Sequence, residues 1–487
     1  MRQFYANQKL GMAARSAASE SLLVLLVVSV LISPLMVQAG SDTLETISPT
    51  ELEGEVTANP LFSAQPVTVS ASGEKRQIEM SAAVQRAVAW HPAIGESVGV
   101  LQQQQQNIRA ARAGYFPQLS VGVVGGYDTE DDGDGEGHAV QLYVSQVLYD
   151  FGKISSGVDT ATAEARASQA RVLQSIDSIA KETAQAAIEV QRYQALLKSA
   201  DQQIDGVSAI SRLVKLRSDR GASSRSDFLQ AQARMESARA NKQQTLAQLY
   251  RWQSVLQNLI GSQYPVSVAM SVPGPIVHGC SVAPEQVRFA PSVLLAEAER
   301  AAAVAQLKQA RASAWPTLSL DGSVNRYLDQ TYVDTRALNE HEGAVFLNLS
   351  MPIYQGGRIS ANKEAANSAM YSAEAAKDKA RLSVERELRI AQSQSTGLRQ
   401  SLSILDTRLD AISETRNLYR KQYSSLGTRT LVDLLNSEEE VHQARVEKNN
   451  TQYDLYRLQV DCMYTVGGIR RAFDLEGKAI QGVEVLP

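Results

Sequence analysis

The second half of this 487-residue chain repeats the first, landmark by landmark. His91-Pro92 has a counterpart in Ala290-Pro291, and 25 residues after each proline comes another, Pro117 and Pro316. The first of these stands in Tyr115-Phe-Pro-Gln-Leu-Ser-Val121 and the second in Ala314-Trp-Pro-Thr-Leu-Ser-Leu320. Tyr149-Asp-Phe-Gly-Lys-Ile-Ser155 is then matched by Tyr354-Gln-Gly-Gly-Arg-Ile-Ser360. Gly221 and Asp227 match Gly427 and Asp433, and Leu259-Ile-Gly261 matches Val466-Gly467. The offset is 199 residues at the first prolines and 206 at the last glycines. A unit of about 200 residues is far longer than the ~20–50 of solenoid repeats. The chain therefore reads as a duplicated, domain-sized unit whose two copies build one composite structure.

Charge and targeting signals narrow the class. Net charge is −4 and no Lys/Arg tract or basic-aromatic cluster occurs, which argues against a nucleic-acid partner. Arg2, Lys9 and Arg15 precede an apolar run, Leu22–Ile32, that is too short to span a bilayer as a helix. With Val37-Gln-Ala39 behind it, residues 1–39 read as a secretory signal peptide; an uncleaved anchor is the other reading. No cysteine directly follows the run, so a lipoprotein anchor is not indicated. Residues 40–77 read as an N-terminal linker.

Catalytic and metal signals fail on context. Gly95-Glu-Ser-Val-Gly99 fits the nucleophile-elbow pattern but lies inside a helical stretch rather than between strand and helix. Asp132-Gly-Asp-Gly-Glu-Gly137 opens like a calcium loop, yet its twelfth position is Tyr143. The five histidines lack metal-ligand spacing, and no phosphate-binding Gly-Lys-Ser/Thr loop occurs. The expectation is a chain that is not an enzyme and carries no cofactor or metal.

Each copy reads as helix, two strands, helix, helix. The first copy spans 78–265, with a helix over 80–113, strands at 118–127 and 138–149, and a helical hairpin tip at 218–228. A linker at 266–285 leads to the second copy, 286–470, with strands at 317–327 and 343–353 and a tip at 424–434. Residues 471–487 are a tail. In the strands Val140, Leu142, Val144 and Leu148 alternate with Gln141, Tyr143, Ser145 and Tyr149; Val345, Leu347, Leu349 and Met351 alternate likewise. About ten residues is the length a tilted strand needs to cross a bilayer. Residues 155–218 and 358–424 are proline-free and rich in Ala, Gln, Glu, Arg and Leu. At ~1.5 Å per residue such stretches make rods of roughly 90–100 Å. Each turns at a glycine, Gly221 or Gly427, into a returning helix, 227–260 or 433–466, making an αα-hairpin. Amphipathic strands with open edges pose a problem, because a bilayer accepts strands only as a closed barrel and four cannot close around a pore. Several chains pooling their strands can.

This series of landmarks resembles the TolC family of bacterial outer-membrane export channels over roughly residues 78–475. Leu426-Gly-Thr-Arg-Thr-Leu-Val-Asp433 is its most specific match. Ala87-Val-Ala-Trp-His-Pro92, Val293-Leu-Leu-Ala-Glu-Ala298 and Leu458-Gln-Val-Asp-Cys462 resemble the branch that serves type I secretion of giant adhesins. The resemblance implies a mainly α protein with a transmembrane β-barrel part. Three chains would give one twelve-stranded barrel, continued by a helical tunnel across the periplasm. It implies a homotrimer in outer-membrane lipid, a periplasmic adaptor, an inner-membrane ABC transporter and an exported protein substrate. Two other readings remain open, the outer-membrane component of a multidrug efflux pump and a periplasmic coiled-coil scaffold that is not a channel.

The resemblance also nominates residues. Asp433 falls on the first of two family aspartates that line the narrowest ring, and Asn436 on the second, so one ring of three carboxylates is expected. The other reading of Asp433 is a helix-start residue favoured by the dipole. Arg429, Ser226, Asp227 and Ser424 fall on the network that closes neighbouring tips; Ser424 stands where the family has a tyrosine, and Tyr423 is adjacent. Surface ion pairing worth ~0–1 kcal/mol is the alternative. Gly221, Gly427 and Thr428 mark the tip turns, and the adaptor would meet Arg220–Ser226 and Leu426–Leu431. Cys280 and Cys462 would form a disulfide if both sit in the family's belt around the tunnel; two buried thiols are the alternative.

Overall fold

The computed structural model describes residues 77–128, 135–281, 287, 289–328 and 341–485. In chain order these form β1 (Gln77–Ile78), α1 (Met80–Trp90), α2 (Pro92–Arg112), β2 (Gln118–Asp128), β3 (Gly135–Tyr149), α3 (Lys153–Asp219) and α4 (Arg225–Leu259). There follow β4 (Ser267–Val268), α5 (Gly274–Val277), α6 (Pro291–Ala312), β5 (Thr317–Tyr327), β6 (His341–Ser350), α7 (Arg358–Lys421) and α8 (Leu431–Thr465). The chain ends with α9 (Ile469–Ala472), β7 (Ala479–Ile480) and β8 (Val483–Glu484). Helix, two strands, long helix and shorter helix occur twice in this order. The leader at 1–39, nearly all of the linker at 40–77 and the centre of the acidic turn lie outside the described residues. No helix among the described residues is long and apolar enough to cross a membrane.

Two compact units divide the chain. Among the described residues, those within 103–165 and 299–374 make the first, whose centre is an antiparallel sheet in the order β2-β3-β5-β6. Its register joins Leu119, Val144, Gly322 and Val345 in one row and Gln118, Ser145, Asp321 and Phe346 in the next. Period-two alternation thus sends Leu119, Val121, Val123, Leu142, Leu347 and Leu349 to one face. That face stands in solvent: Leu119 is 68% exposed, Val121 71% and Leu347 67%. On the opposite face Asp321 is buried and accepts hydrogen bonds from Ser145 (2.6 Å) and Ser319 (3.0 Å). β6 spans 341–350, not 343–353, and it ends before Pro352, which has no N–H to continue a ladder. β3 begins at Gly135, three residues before the expected start.

The strand exits show why the repeated motifs recur. Asp150 caps α3, accepting from the N–H groups of Gly152 (2.9 Å) and Ile154 (2.6 Å). Phe151 has φ 54° and its ring sits between Tyr149 (4.7 Å between centroids) and Trp315 (5.6 Å). In the second copy Gln355 replaces the aspartate and accepts from Arg358 (2.7 Å).

The second unit comprises residues 77–102, 166–298 and 375–485 among those described, and is helical. The helix expected over 80–113 is broken at His91, which has ψ 127°, because a residue before proline is pushed out of the α region. Pro92 then opens α2, where its missing N–H has no intrahelical partner to lose. Gly95–Gly99 lies inside α2, as its dismissal as an elbow requires. The core gathers Met80, Val84, Ile94 and Leu101 with Ile176, Ile188, Leu256 and Val460. The tail belongs to it as well: Phe473, Leu475, Ile480 and Val485 are buried there, and Gln481 donates to the carbonyl of His91 (3.0 Å). Arg470 lies 3.2 Å from the fully buried Asp177. Burial pushes the Asp177 carboxyl up to about 7, against the pull of Arg470.

Cys280 and Cys462 are disulfide-bonded, with Cα atoms 5.0 Å apart and a sequence separation of 182. The bond fixes the linker after α5 to α8. Gln459 accepts from the Cys280 N–H (2.6 Å) and donates to Ser395 (2.9 Å) in the same place.

Candidate functional site

The nominated residues gather where the two helical hairpins turn. Gly221 (φ 72°) and Gly427 (φ 64°) adopt the left-handed conformation that ends α3 and α7 and that a side chain resists. Three residues after each glycine stands a cap, Ser224 or Thr430, and three after that an aspartate. Both form complete capping boxes. The Asp227 N–H donates to Ser224 Oγ (3.1 Å) and the Ser224 N–H to the Asp227 carboxylate (3.1 Å). Asp433 and Thr430 repeat this at 3.2 and 3.3 Å. Within one chain, Asp227 and Asp433 therefore serve as helix-start residues. Thr428 lies on the exposed turn.

The structure does not bring Arg429 to Ser226 or Asp227 in this chain. Arg429 donates to Gln422 Oε1 (3.2 Å), lies over the Tyr419 ring (4.4 Å) and sits 3.9 Å from Asp433. Ser226 meets Ser224 (2.7 Å), Ser424 reaches the Lys421 carbonyl (3.4 Å), and Asn436 accepts from Arg234 on α4 (3.3 Å).

Sequence reading passed over the contact that joins the two tips. Arg217 donates to the Tyr423 carbonyl (2.9 Å) and lies over its ring (4.9 Å), while the Tyr423 hydroxyl is 3.4 Å from Ser223. Arg217 and Tyr423 each stand four residues before their tip glycine, so the 206-residue offset could have paired them. What hid Tyr423 is the turn itself. Residues Gln422–Leu426 form a π-helical turn, which accommodates one residue more than an α turn and rotates the side chains by one position. Tyr423, not Ser424, is buried there with Ile210, Val214, Leu431 and Leu434. Deeper in, buried Glu438 faces Arg416 (3.4 Å) and Arg420 (3.5 Å), and α3 approaches it at Gly206, where a Cβ would collide with the carboxylate.

An amphipathic open sheet and two capped helical tips, repeated in one chain, match a known family. The profile described as "Outer membrane efflux protein" matches residues 83–262 and 288–466. The chain belongs to this family. It is similar to the outer membrane efflux protein BepC of Brucella suis biovar 1, at 22% identity over 72% of this chain and 77% of the relative. It is also similar to the outer membrane protein TolC of Salmonella enteritidis, at 23% identity over 79% and 80%. Among solved structures, a membrane protein from Pseudomonas aeruginosa shares the fold with a TM-score of 0.71 and 22% identity, covering 81% of this chain and 91% of that one. The protein is thus an efflux-family channel component, located in the outer membrane and reaching into the periplasm, and not an enzyme.

Proposed function

We propose that three copies of this chain pool their sheets into one twelve-stranded barrel and their helical hairpins into a tunnel. The observation that carries this reading is the sheet itself. Among the described residues β2 and β6 each have an unpaired edge, and one face carries the exposed apolar side chains Leu119, Val121, Val123, Val345, Leu347 and Leu349. Lipid tolerates that arrangement only in a closed barrel, and twelve strands close where four cannot. Exposed Leu382, Ile390, Ile404 and Leu418 on α7 support the same reading, since neighbouring chains would cover them. Heat-modifiable trimers in outer-membrane fractions are expected; a monomer that washes off with salt would leave the periplasmic scaffold as the better account.

The conduit serves type I secretion of a large protein such as an adhesin. An adaptor docks at Arg220–Ser226 and Leu426–Leu431, and an inner-membrane ABC transporter supplies the energy. The three matched strings given above support this branch. A multidrug efflux role is the second reading, favoured by similarity to a relative whose name is outer membrane efflux protein. Deleting the gene separates the two: loss of a surface adhesin follows from the first, drug sensitivity with the adhesin intact from the second.

The tips form the gate. Three copies of Asp433 make a cation-selective ring with Asn436 one helical turn along, and Arg429, Ser226, Asp227 and Ser424 meet across neighbouring hairpins. Support comes from the exposure of Arg429 and the partial exposure of Asp433, which leave both free to face a second chain. Asp433→Ala should abolish divalent-cation block of single-channel conductance, and Arg429→Ser should raise the closed-state conductance. Block and conductance identical to wild type would remove both roles.

A further inference from the structure

The polar face of the sheet carries a few apolar side chains, Val124, Tyr143, Val147 and Phe346, and Phe346 is the most exposed of them. β6 places Val345, Leu347 and Leu349 on the apolar side and Ala344, Phe346, Asn348 and Ser350 on the other. Phe346 stands in a row with Gln118, Ser145 and Asp321, beside the buried, hydrogen-bonded carboxylate. Phe346 is 61% exposed. A phenyl group left in water next to a satisfied carboxylate gives the fold little, because the hydrophobic gain scales with area removed from water. Two rows along, with Ser120, Ser323 and Ala344, Tyr143 stands on the same face, 40% exposed. Ser145, Asp321 and Phe346 each lie four residues from the strand end that adjoins a helix. That level is near the middle of β5 and β6, which run Thr317–Tyr327 and His341–Ser350.

We propose that Phe346, with Tyr143, is a contact site for apolar groups of molecules passing through the barrel. This rests on the barrel reading above, in which the polar face lines the water-filled lumen. Three chains then bring three Phe346 rings to one level in a lining otherwise rich in Ser, Gln and Asn. Ring faces and edges recognise apolar and aromatic groups. The shared ligand chemistry is an apolar side chain or ring, supplied by an exported polypeptide or by an amphipathic small compound.

The purified trimer in lipid bilayers tests this. Both native cysteines are disulfide-bonded, so Phe346→Cys and Leu347→Cys each add a lone thiol. A charged, membrane-impermeant methanethiosulfonate should label Phe346→Cys and spare Leu347→Cys. Labelling of both, or of Leu347→Cys alone, would overturn the barrel reading and the site with it. Tetraphenylphosphonium, and a Phe-containing oligopeptide against its Ser counterpart, are then added from the barrel side while conductance is recorded. Block should weaken about tenfold in Phe346→Ser and be kept in Phe346→Tyr. Weakened block by the peptide assigns the site to polypeptide, and by the phosphonium alone to small compounds. If labelling is as expected but block in both arms matches wild type, the barrel stands and the contact site falls.

Discussion

The two helical tips were built from one plan and no longer look alike. Each has a left-handed glycine, a hydroxyl cap and an aspartate that closes a capping box. The first tip makes a short turn with an exposed rim, whereas the second inserts a π-helical turn and buries Tyr423 beneath it. Equivalent positions have diverged into complementary groups, Arg217 in one copy and Tyr423 in the other, and they now hold each other. The shared parts are those that helix ends demand anywhere. The divergent parts are those that let one tip recognise the other. A duplicated chain with identical tips could not place a cation over an aromatic ring at their junction.

Several changes test that asymmetry, with the helical body as the fixed reference. Cys280→Ser should have the largest effect, about 2–5 kcal/mol of global stability, because the bond closes a loop of 182 residues. The tips should keep their difference in hydrogen exchange when it is removed. Thiol labelling of denatured, unreduced wild type should find no free thiol, and two labelled thiols per chain would remove the cross-link from the account.

The body should also respond to pH. The Asp177 carboxyl is raised from 3.8 to about 7 in the fold, so between these values the native state holds the extra proton. Its contribution is complete below about pH 4 and is lost as pH rises through 7. Asp177→Asn should flatten the fall in melting temperature across that window. An unchanged slope would mean that another group titrates there.

Within the tips, Tyr423→Ala should cost about 3 kcal/mol through lost burial, and Arg217→Ala about 1 kcal/mol. Limited trypsin digestion at Arg220 and Arg429 should speed up more in the first variant than in the second. Equal digestion of both variants and wild type would show that the ring does not hold the tips together. The smallest effects should be symmetrical: Ser224→Ala and Thr430→Ala each remove one cap, at about 1 kcal/mol locally. A large difference between these two would break the claim that the caps are the conserved part of the plan.

Much of this was legible in the residues. Landmarks such as Pro117 and Pro316, or Gly221 and Gly427, mark places where the backbone has few choices, so they located the strand starts and tip turns. Alternation along β3 and β6 gave their faces because side-chain direction in a strand depends on parity alone. His91 was misjudged as helix because the helix-forming residues on both sides outweighed one pre-proline position. Tyr423 was noted only as the neighbour of Ser424, since the π turn that buries it leaves no mark in the spacing, and the tail at 471–485 was not placed in the core because its apolar residues are too few to show a period.

Sequence alone therefore determined the repeated order of helix, strands and helices and the amphipathic strands, since each depends on local geometry or on periodicity. Only the tertiary structure decided that Arg217 meets Tyr423, that Cys280 reaches Cys462, that Asp177 is buried against Arg470, and that Phe346 stands exposed on the polar face. Those facts depend on which distant segments pack together, and contact across some two hundred residues leaves no mark in local spacing.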